Sequence, residues 1–329
     1  MAASDISSIT ISSIPEPKDE HSVNCRILNG TNGKFADHEI YCTIIGIDPR
    51  NNRWSYLNNF GEIQPISEGL NHAPDHLTKN GINYAKICFS IDSNRWFTIP
   101  KLYSGRMFLS CNSPIYIKTL DNGFVGPDIN NPTDPNRNIY FDFIEFTIND
   151  HGYHGNITRV DAFGFPLQHR LVNRNGNYDR IVGELASENR EDLFRKFRHE
   201  MPNEFKSLAD DQQPYRIIAP IHGSFKKDRE NQNYFSSYTT EYTTQEILLC
   251  NGKLQENPKK ASAINRHIDE HERNIHKYYQ QSPANFYAKF WHDHSIDRLA
   301  YGFPYDDFNE QASYLQVNKP KGLIIRIGW

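Results

Sequence analysis

Two neighbouring segments of alternating residues constrain the fold of this chain more than any other feature. Residues 141–149 and 156–166 are rich in β-branched and aromatic residues, and the polar stretch between them contains two glycines. This pattern predicts two β-strands joined as a hairpin. Because successive side chains of a strand point to opposite faces, Glu145, Thr147 and Asn149 are expected to share one face.

The predicted hairpin would bring two carboxylates together. If it is symmetric about Tyr153, Glu145 lies close to Asp161 on the neighbouring strand. Directly opposed like charges destabilise a sheet, so the pair indicates either chemistry or a polar ligand. A second interpretation stays open, in which Asp161 only pairs with Arg159, two residues away on the same face.

The chain is predicted to contain a tail and a β domain formed from two parts of the sequence. Residues 1–21 are rich in Ser and Pro and predict a loosely held tail. Residues 22–168 contain short alternating segments separated by Gly, Asn, Asp and Pro, which favours a β-sandwich or barrel. The strand predicted at 322–329 needs a sheet to join, so residues 299–329 are assigned to the same domain.

Residues 169–298 are predicted to form a mixed α/β domain inserted into the β domain. Ser187, the acidic residues after it and a Leu/Phe stripe indicate a helix that ends near Pro202. The other predicted elements are a strand at 216–220, extended structure at 239–250 and a helix at 259–280. A wide groove is expected where the two domains meet, and such clefts often bind ligands.

The composition is that of a soluble globular protein. The 329 residues, 37% of them hydrophobic and 23% charged, fit one large or two ordinary domains. A net charge of -4 without a long basic run favours neither nucleic acid nor an anionic membrane as a partner. The chain is expected to be a monomer. The irregular spacing of the five cysteines predicts buried thiols, although one disulfide stays open; they are Cys25, Cys42, Cys88, Cys111 and Cys250.

A rival motif is the run from His267 to His271, which matches the inverted zinc-protease pattern of two His and a Glu. On a helix, this spacing would place the imidazoles of His267 and His271 on one face, and Glu270 is the Glu of the pattern. His276 or a carboxylate could supply a third ligand, and His292 and His294 lie downstream. A zinc metallopeptidase is therefore one alternative function. The simpler interpretation of the same residues is a solvated helical face.

Four segments in order along the chain carry a resemblance to a known family. They are residues 104–110, 142–149, 158–166 and 300–307. Together they resemble glycoside hydrolase family 64, the β-1,3-glucanases of the laminaripentaose-producing type, which are related to thaumatin-like proteins. The resemblance implies a thaumatin-like β domain, an endo-acting inverting mechanism and no metal or organic cofactor. It also implies that Glu145 is the general acid and Asp161 the general base.

The same resemblance suggests residues that contact the substrate, β-1,3-glucan. Thr147 and Asn149 share the face of Glu145, and Asp306 and Asp307 lie in the C-terminal motif. His154 stands where the resemblance implies an aromatic residue lining the groove, so the adjacent Tyr153 is expected to substitute for it. A glucanase of this type acts outside the cell, but the first twenty residues lack a signal-peptide pattern, so a cytoplasmic location stays open. A non-catalytic, glucan-binding thaumatin-like protein is the main alternative function.

Overall fold

The computed structural model describes residues 5–329, which form two compact units. The first unit comprises the chain up to Ile157, together with Gly164–Val182 and Leu315–Trp329. The second comprises Thr158–Phe163 and Gly183–Tyr314. Strands dominate the first unit and helices the second, so the chain is mainly β with few helices.

The strands are short and follow the alternating segments of the sequence. In chain order they are β1 (Val23–Gly30), β2 (Ile40–Asp48), β3 (Arg53–Leu57), β4 (Ile63–Pro65), β5 (Leu77–Lys79), β6 (Ile82–Tyr84), β7 (Phe89–Ser90), β8 (Phe97–Ile99), β9 (Leu102–Cys111), β10 (Lys118–Leu120), β11 (Gly123–Val125), β12 (Tyr140–Asn149), β13 (Gly152–Ile157), β14 (Ala162–Phe163), β15 (Leu167–Asn173), β16 (Asp179–Gly183), β17 (Ile217–Ile218), β18 (Tyr314–Val317) and β19 (Pro320–Gly328).

Two large sheets form the first unit. One has the order β16-β15-β19-β1-β8, and the other has the order β18-β13-β12-β9-β2-β3-β4, with β7 paired to β2. The C-terminal strand β19 lies at the centre of the first sheet, parallel to β1 and antiparallel to β15. The prediction that the last strand joins the N-terminal β region is therefore confirmed.

The segment after residue 4 is held firmly, so the prediction of a loose tail is wrong for residues 5–21. Ile6, Ile9 and Ile14 are buried in a cluster with three side chains from β1, β15 and β19. Arg170 on β15 donates to the carbonyl oxygens of Ile6, at 2.9 Å, and Ile9, at 2.7 Å. Isoleucines spaced along a Ser- and Pro-rich segment supply enough apolar surface to dock it. Residues 1–4, which also belong to the predicted tail, lie outside the described residues.

The second unit contains the helices α1 (Arg190–Glu200), α2 (Asn203–Lys206), α3 (Thr244–Leu249), α4 (Pro258–Arg266) and α5 (Phe286–Asp293), with β14 paired to β17. Helix α1 is capped by Asn189, whose side chain accepts from the Asp192 amide, and not by Ser187. No helix of residues 5–329 combines the length and the apolar character that crossing a bilayer requires.

Two predictions within the second unit are wrong. Residues 239–250 are not extended, because a capping box between Thr243 and Glu246 starts α3 there. The helix predicted at 259–280 ends at Arg266, because His267 adopts a left-handed conformation with φ 53°.

Candidate active site

Glu145 lies on β12, which is paired on both sides within the eight-stranded sheet. Its neighbours across the strands are Arg106 on β9 and Asn156 on β13. The predicted opposition of Glu145 and Asp161 is therefore wrong. The turn between the strands contains only residues 150 and 151, and β13 starts at Gly152, whose φ of 100° suits glycine. Because this turn is shorter than predicted, β13 ends at Ile157, before Asp161 is reached.

The predicted alternation along β12 is confirmed. Ile144, Phe146 and Ile148 are buried, whereas the residues between them are partly exposed. The Glu145 side chain is 43% exposed, and its Oε1 lies 3.6 Å from Nε of Arg106, which is itself 48% exposed.

Thr147 and Asn149 share the exposed face of β12 with Glu145, and each also has a structural bond. The Thr147 hydroxyl accepts from the Ser104 amide at 3.2 Å, next to a bulge between β12 and β9. The Asn149 side chain accepts from the His151 amide at 2.8 Å and so shapes the hairpin turn. Both side chains are partly exposed.

Tyr153 is a core residue, so it cannot line a sugar-binding surface. Its side chain is fully buried and stacks on Phe146, with ring centroids 6.0 Å apart. Its hydroxyl lies 3.0 Å from Nε2 of His169 on β15, which ties the two large sheets together. The next residue, His154, pairs with Thr147 and is partly exposed, because the register places it on the opposite face of β13.

Asp161 belongs to the second unit and lies just before β14. Its side chain is 48% exposed, and Oδ1 lies 2.9 Å from Nε2 of His222, whose own side chain is 14% exposed. The Asp161 carbonyl accepts from the Ala219 amide at 2.8 Å, next to the pairing of β14 with β17. His222 is a functional candidate that the sequence analysis missed. It stands 61 residues from Asp161, and no local pattern marks it.

The backbone around Asp161 is fixed by Arg159. The Arg159 guanidinium donates to both oxygens of Glu184, at 2.8 and 3.0 Å, and both side chains are only 2% exposed. Its amide donates to the Tyr301 carbonyl at 2.7 Å, and its carbonyl accepts from the Tyr287 hydroxyl at 2.6 Å. Arg159 therefore anchors the segment that carries Asp161 and holds Glu184 with its guanidinium.

The two aspartates of the C-terminal motif differ sharply in exposure. Asp306 is fully buried; it accepts from Arg266 at 3.0 Å and from the Gly302 amide at 2.8 Å, and lies 3.0 Å from Nε2 of His292. Burial alone would raise the pKa of Asp306, but His292 and Arg266 outweigh it and hold the pKa below its ordinary value. Asp306 cannot contact a sugar without losing these bonds, whereas Asp307 is exposed.

The histidines of the rival zinc motif do not share a helical face, because α4 ends before them. The His267 ring stacks on Tyr238 at 3.9 Å, and its Nδ1 lies 2.7 Å from the Pro283 carbonyl. Nδ1 of His271 lies 3.0 Å from the Lys259 ammonium. Within residues 5–329, no three His, Cys, Asp or Glu side chains are grouped as metal ligands.

Four of the five cysteines follow the expectation of buried thiols. All five are free thiols, and four of them are buried; Cys88 is partly exposed. Burial raises the pKa of Cys88 to about 11, so even this thiol is protonated at neutral pH.

Comparison with known proteins places these features in a family. The family model for the β-1,3-glucanases of glycoside hydrolase family 64 matches residues 21–249 and 243–327. A solved laminaripentaose-producing β-1,3-glucanase of that family from Paenibacillus barengoltzii is 55% identical, with a TM-score of 0.97 over 100% of this chain and 80% of its own. The same relative has been solved in complex with laminarihexaose.

More distant relatives agree with this match. A solved β-1,3-glucanase domain of family 64 from Clostridium beijerinckii is 31% identical, with a TM-score of 0.87 over 96% of this chain and 100% of its own. A glucan endo-1,3-β-glucosidase from Arthrobacter sp. (strain YCWD3) is 24% identical over 291 residues, which cover 70% of this chain and 53% of the relative. The chain therefore spans about half the length of this curated relative.

Proposed function

Because the chain belongs to glycoside hydrolase family 64, we propose that it is an endo-acting β-1,3-glucanase. The observation that carries the proposal is the match of the whole chain, at 55% identity, to a solved laminaripentaose-producing β-1,3-glucanase. We further propose that a pentasaccharide is the main product and that the first unit is a thaumatin-like domain. Since a polysaccharide of this kind does not cross a membrane, we place the activity outside the cell.

The proposed mechanism is a single displacement with inversion. Glu145 donates a proton to the departing glycosidic oxygen, while ionised Asp161 removes a proton from the attacking water. The exposure of both carboxyl groups, 43% and 48%, supports these roles because each can meet a solvent-borne substrate. An inverting enzyme leaves about 6.5–9.5 Å between its carboxyl groups to admit the water.

Two neighbouring side chains support the roles of Glu145 as general acid and Asp161 as general base. His222 holds one oxygen of Asp161 and leaves the other available to a water molecule. Arg106 lies where it stabilises the negative charge that remains on Glu145 after its proton has left.

We propose Thr147, Asn149 and Asp307 as sugar contacts, since all three are at least partly exposed. Tyr153 and Asp306 are left out because both are fully buried. Asp306 instead positions the C-terminal motif, whose Tyr301 carbonyl accepts from the Arg159 amide beside Asp161.

The direct test is release of oligosaccharides from laminarin and from linear β-1,3-glucan. Glu145→Gln and Asp161→Asn are each expected to lower turnover by about 10²–10⁴-fold, the usual contribution of positioned proton transfer. Glu68→Gln removes an exposed carboxylate elsewhere in the first unit and serves as the matched control, with unchanged turnover expected.

Two outcomes would count against the proposal. If the protein releases nothing but is retained on insoluble glucan, it is a binding protein without catalysis. If glucan is cut but the two carboxylate variants retain more than a tenth of the turnover, the residue assignment is wrong.

A further inference from the structure

A small cavity in the first unit shares no residue with the proposed catalytic groups. It has a volume of 240 Å³ and lies between β7 and β8, beside the turn that joins β3 to β4. We call it the β7–β8 pocket. Phe89 and Phe97 line it and meet edge to face, with ring centroids 5.5 Å apart.

The fold holds the β3–β4 turn against this pocket. Gly61 in the turn has a φ of 78°, and a Cβ at this position would lie 2.6 Å from the Thr98 carbonyl on β8. The turn therefore needs glycine to approach β8 so closely. As a result, Asn59 lines the pocket and the adjacent Phe60 stands 66% exposed, with the Arg95 guanidinium 5.9 Å from its ring.

The polar side chains of the pocket have unused bonding capacity. Among the described residues, the side chains of Asn59, Ser90 and Arg95 form no hydrogen bond or ion pair. Asp92 accepts from the Asn94 amide through Oδ1, at 2.9 Å, which leaves Oδ2 available. The pocket thus offers an amide, a hydroxyl, a guanidinium and a carboxylate oxygen next to two aromatic rings.

This combination selects a neutral polyhydroxyl ligand over a charged one. A carboxylate and a guanidinium stand together in the lining, so a ligand of either charge would gain from one and be repelled by the other. Hydroxyl groups can donate to Asp92 and accept from Arg95 at the same time. Aromatic rings provide apolar contact for the C–H faces of a sugar. The volume of the pocket lies below the roughly 300–1,000 Å³ of pockets that bind drug-sized ligands, and this smaller size suits one sugar ring.

We propose that the β7–β8 pocket, with Phe60 at its rim, is a second carbohydrate-binding site that holds a glucosyl unit of β-1,3-glucan. The choice of glucan as the polysaccharide rests on the proposed function. The site gives the protein a contact with its polymer that does not involve Glu145 or Asp161.

The test uses the full chain carrying Asp161→Asn, so that the sugar is not consumed. Phe60→Trp is added as a local reporter, and its fluorescence is titrated with laminaritriose and, in separate arms, with cellotriose and xylotriose. A saturable change in fluorescence with laminaritriose is expected. Arg95→Ala should raise the half-saturation concentration by about fivefold or more, because binding becomes weaker. Ile82→Ala, which truncates a 50% exposed side chain on β6, is the matched control and should leave it unchanged.

The outcomes separate this inference from the proposed function. No saturable signal with any of the three sugars, or a signal that Arg95→Ala leaves unchanged, overturns the pocket as a sugar site. A signal with cellotriose or xylotriose alone overturns its assignment to β-1,3-glucan. Hydrolysis of laminarin by the unmodified protein is measured separately: hydrolysis without a pocket signal refutes only this inference, and a pocket signal without hydrolysis refutes only the catalytic proposal.

Discussion

Acid is expected to destabilise the first unit through His169, the buried histidine that joins the two large sheets. Burial lowers the pKa of His169 to about 3, from an ordinary value of 6.5. Its Nε2 lies 3.0 Å from the Tyr153 hydroxyl, and its Nδ1 has no hydrogen-bond partner in residues 5–329. Protonation would therefore place a charge and an unsatisfied N–H donor in the core.

The magnitude follows from the linkage between protonation and folding. Between pH 3 and 6.5 the unfolded chain binds a proton at this position and the folded chain does not, so stability rises with pH in that window. At pH 4.5 the unfolded His169 is protonated and the folded one is neutral. Because pH 4.5 lies two units below the unfolded pKa, the protein loses about 3 kcal/mol of unfolding free energy there relative to pH 7.5.

Urea unfolding of the wild type and His169→Gln at pH 7.5 and 4.5 tests this reasoning. Glutamine can still bond the Tyr153 hydroxyl but does not titrate. The wild type should lose about 3 kcal/mol more than the variant between the two pH values. Equal losses in the two proteins would show that His169 does not titrate as the structure implies.

The remaining predictions concern two residues of the second unit, His222 and Asp306. His222→Ala is expected to lower kcat on laminarin by about 10–100-fold, because a hydrogen bond to a charged group contributes about 1.5–3 kcal/mol. An unchanged kcat would reduce His222 to a structural role. Asp306→Asn should lower the unfolding free energy at pH 7 by about 3–5 kcal/mol, because Arg266 and His292 lose a buried counterion. Because the folded pKa of Asp306 is lowered, this contribution is present above its unfolded pKa and is lost as the pH falls through the folded pKa. Denaturation of the wild type and of Asp306→Asn at pH 7 and pH 3 measures it. The difference in unfolding free energy between the two proteins should be smaller at pH 3.

The sequence predicted features that depend on local periodicity. The strand at β12, the shared face of Glu145 and Thr147, and the strand β19 all follow from alternation of residue types. The capping box from Thr243 to Glu246 is an equally local signal for α3, although residues 239–250 are predicted to be extended.

Features set by register or by distant contacts could not be predicted in this way. A turn of two residues decided that Glu145 pairs with Asn156, and the same register buried Tyr153. The bond between His222 and Asp161 joins residues 61 apart, with no repeat or spacing to indicate it. The same holds for the β7–β8 pocket, which depends on the contact of Gly61 with β8.

If Glu145 and Asp161 hydrolyse β-1,3-glucan by inversion, the configuration of the anomer formed first at the new reducing end reveals it. Proton NMR of the new reducing end, recorded in the first minutes of laminarin hydrolysis and before mutarotation, distinguishes the two stereochemical courses. The α-anomer is expected as the initial product, because one displacement inverts the β-linkage. Initial release of the β-anomer would show a retaining mechanism and contradict the roles given to both carboxylates.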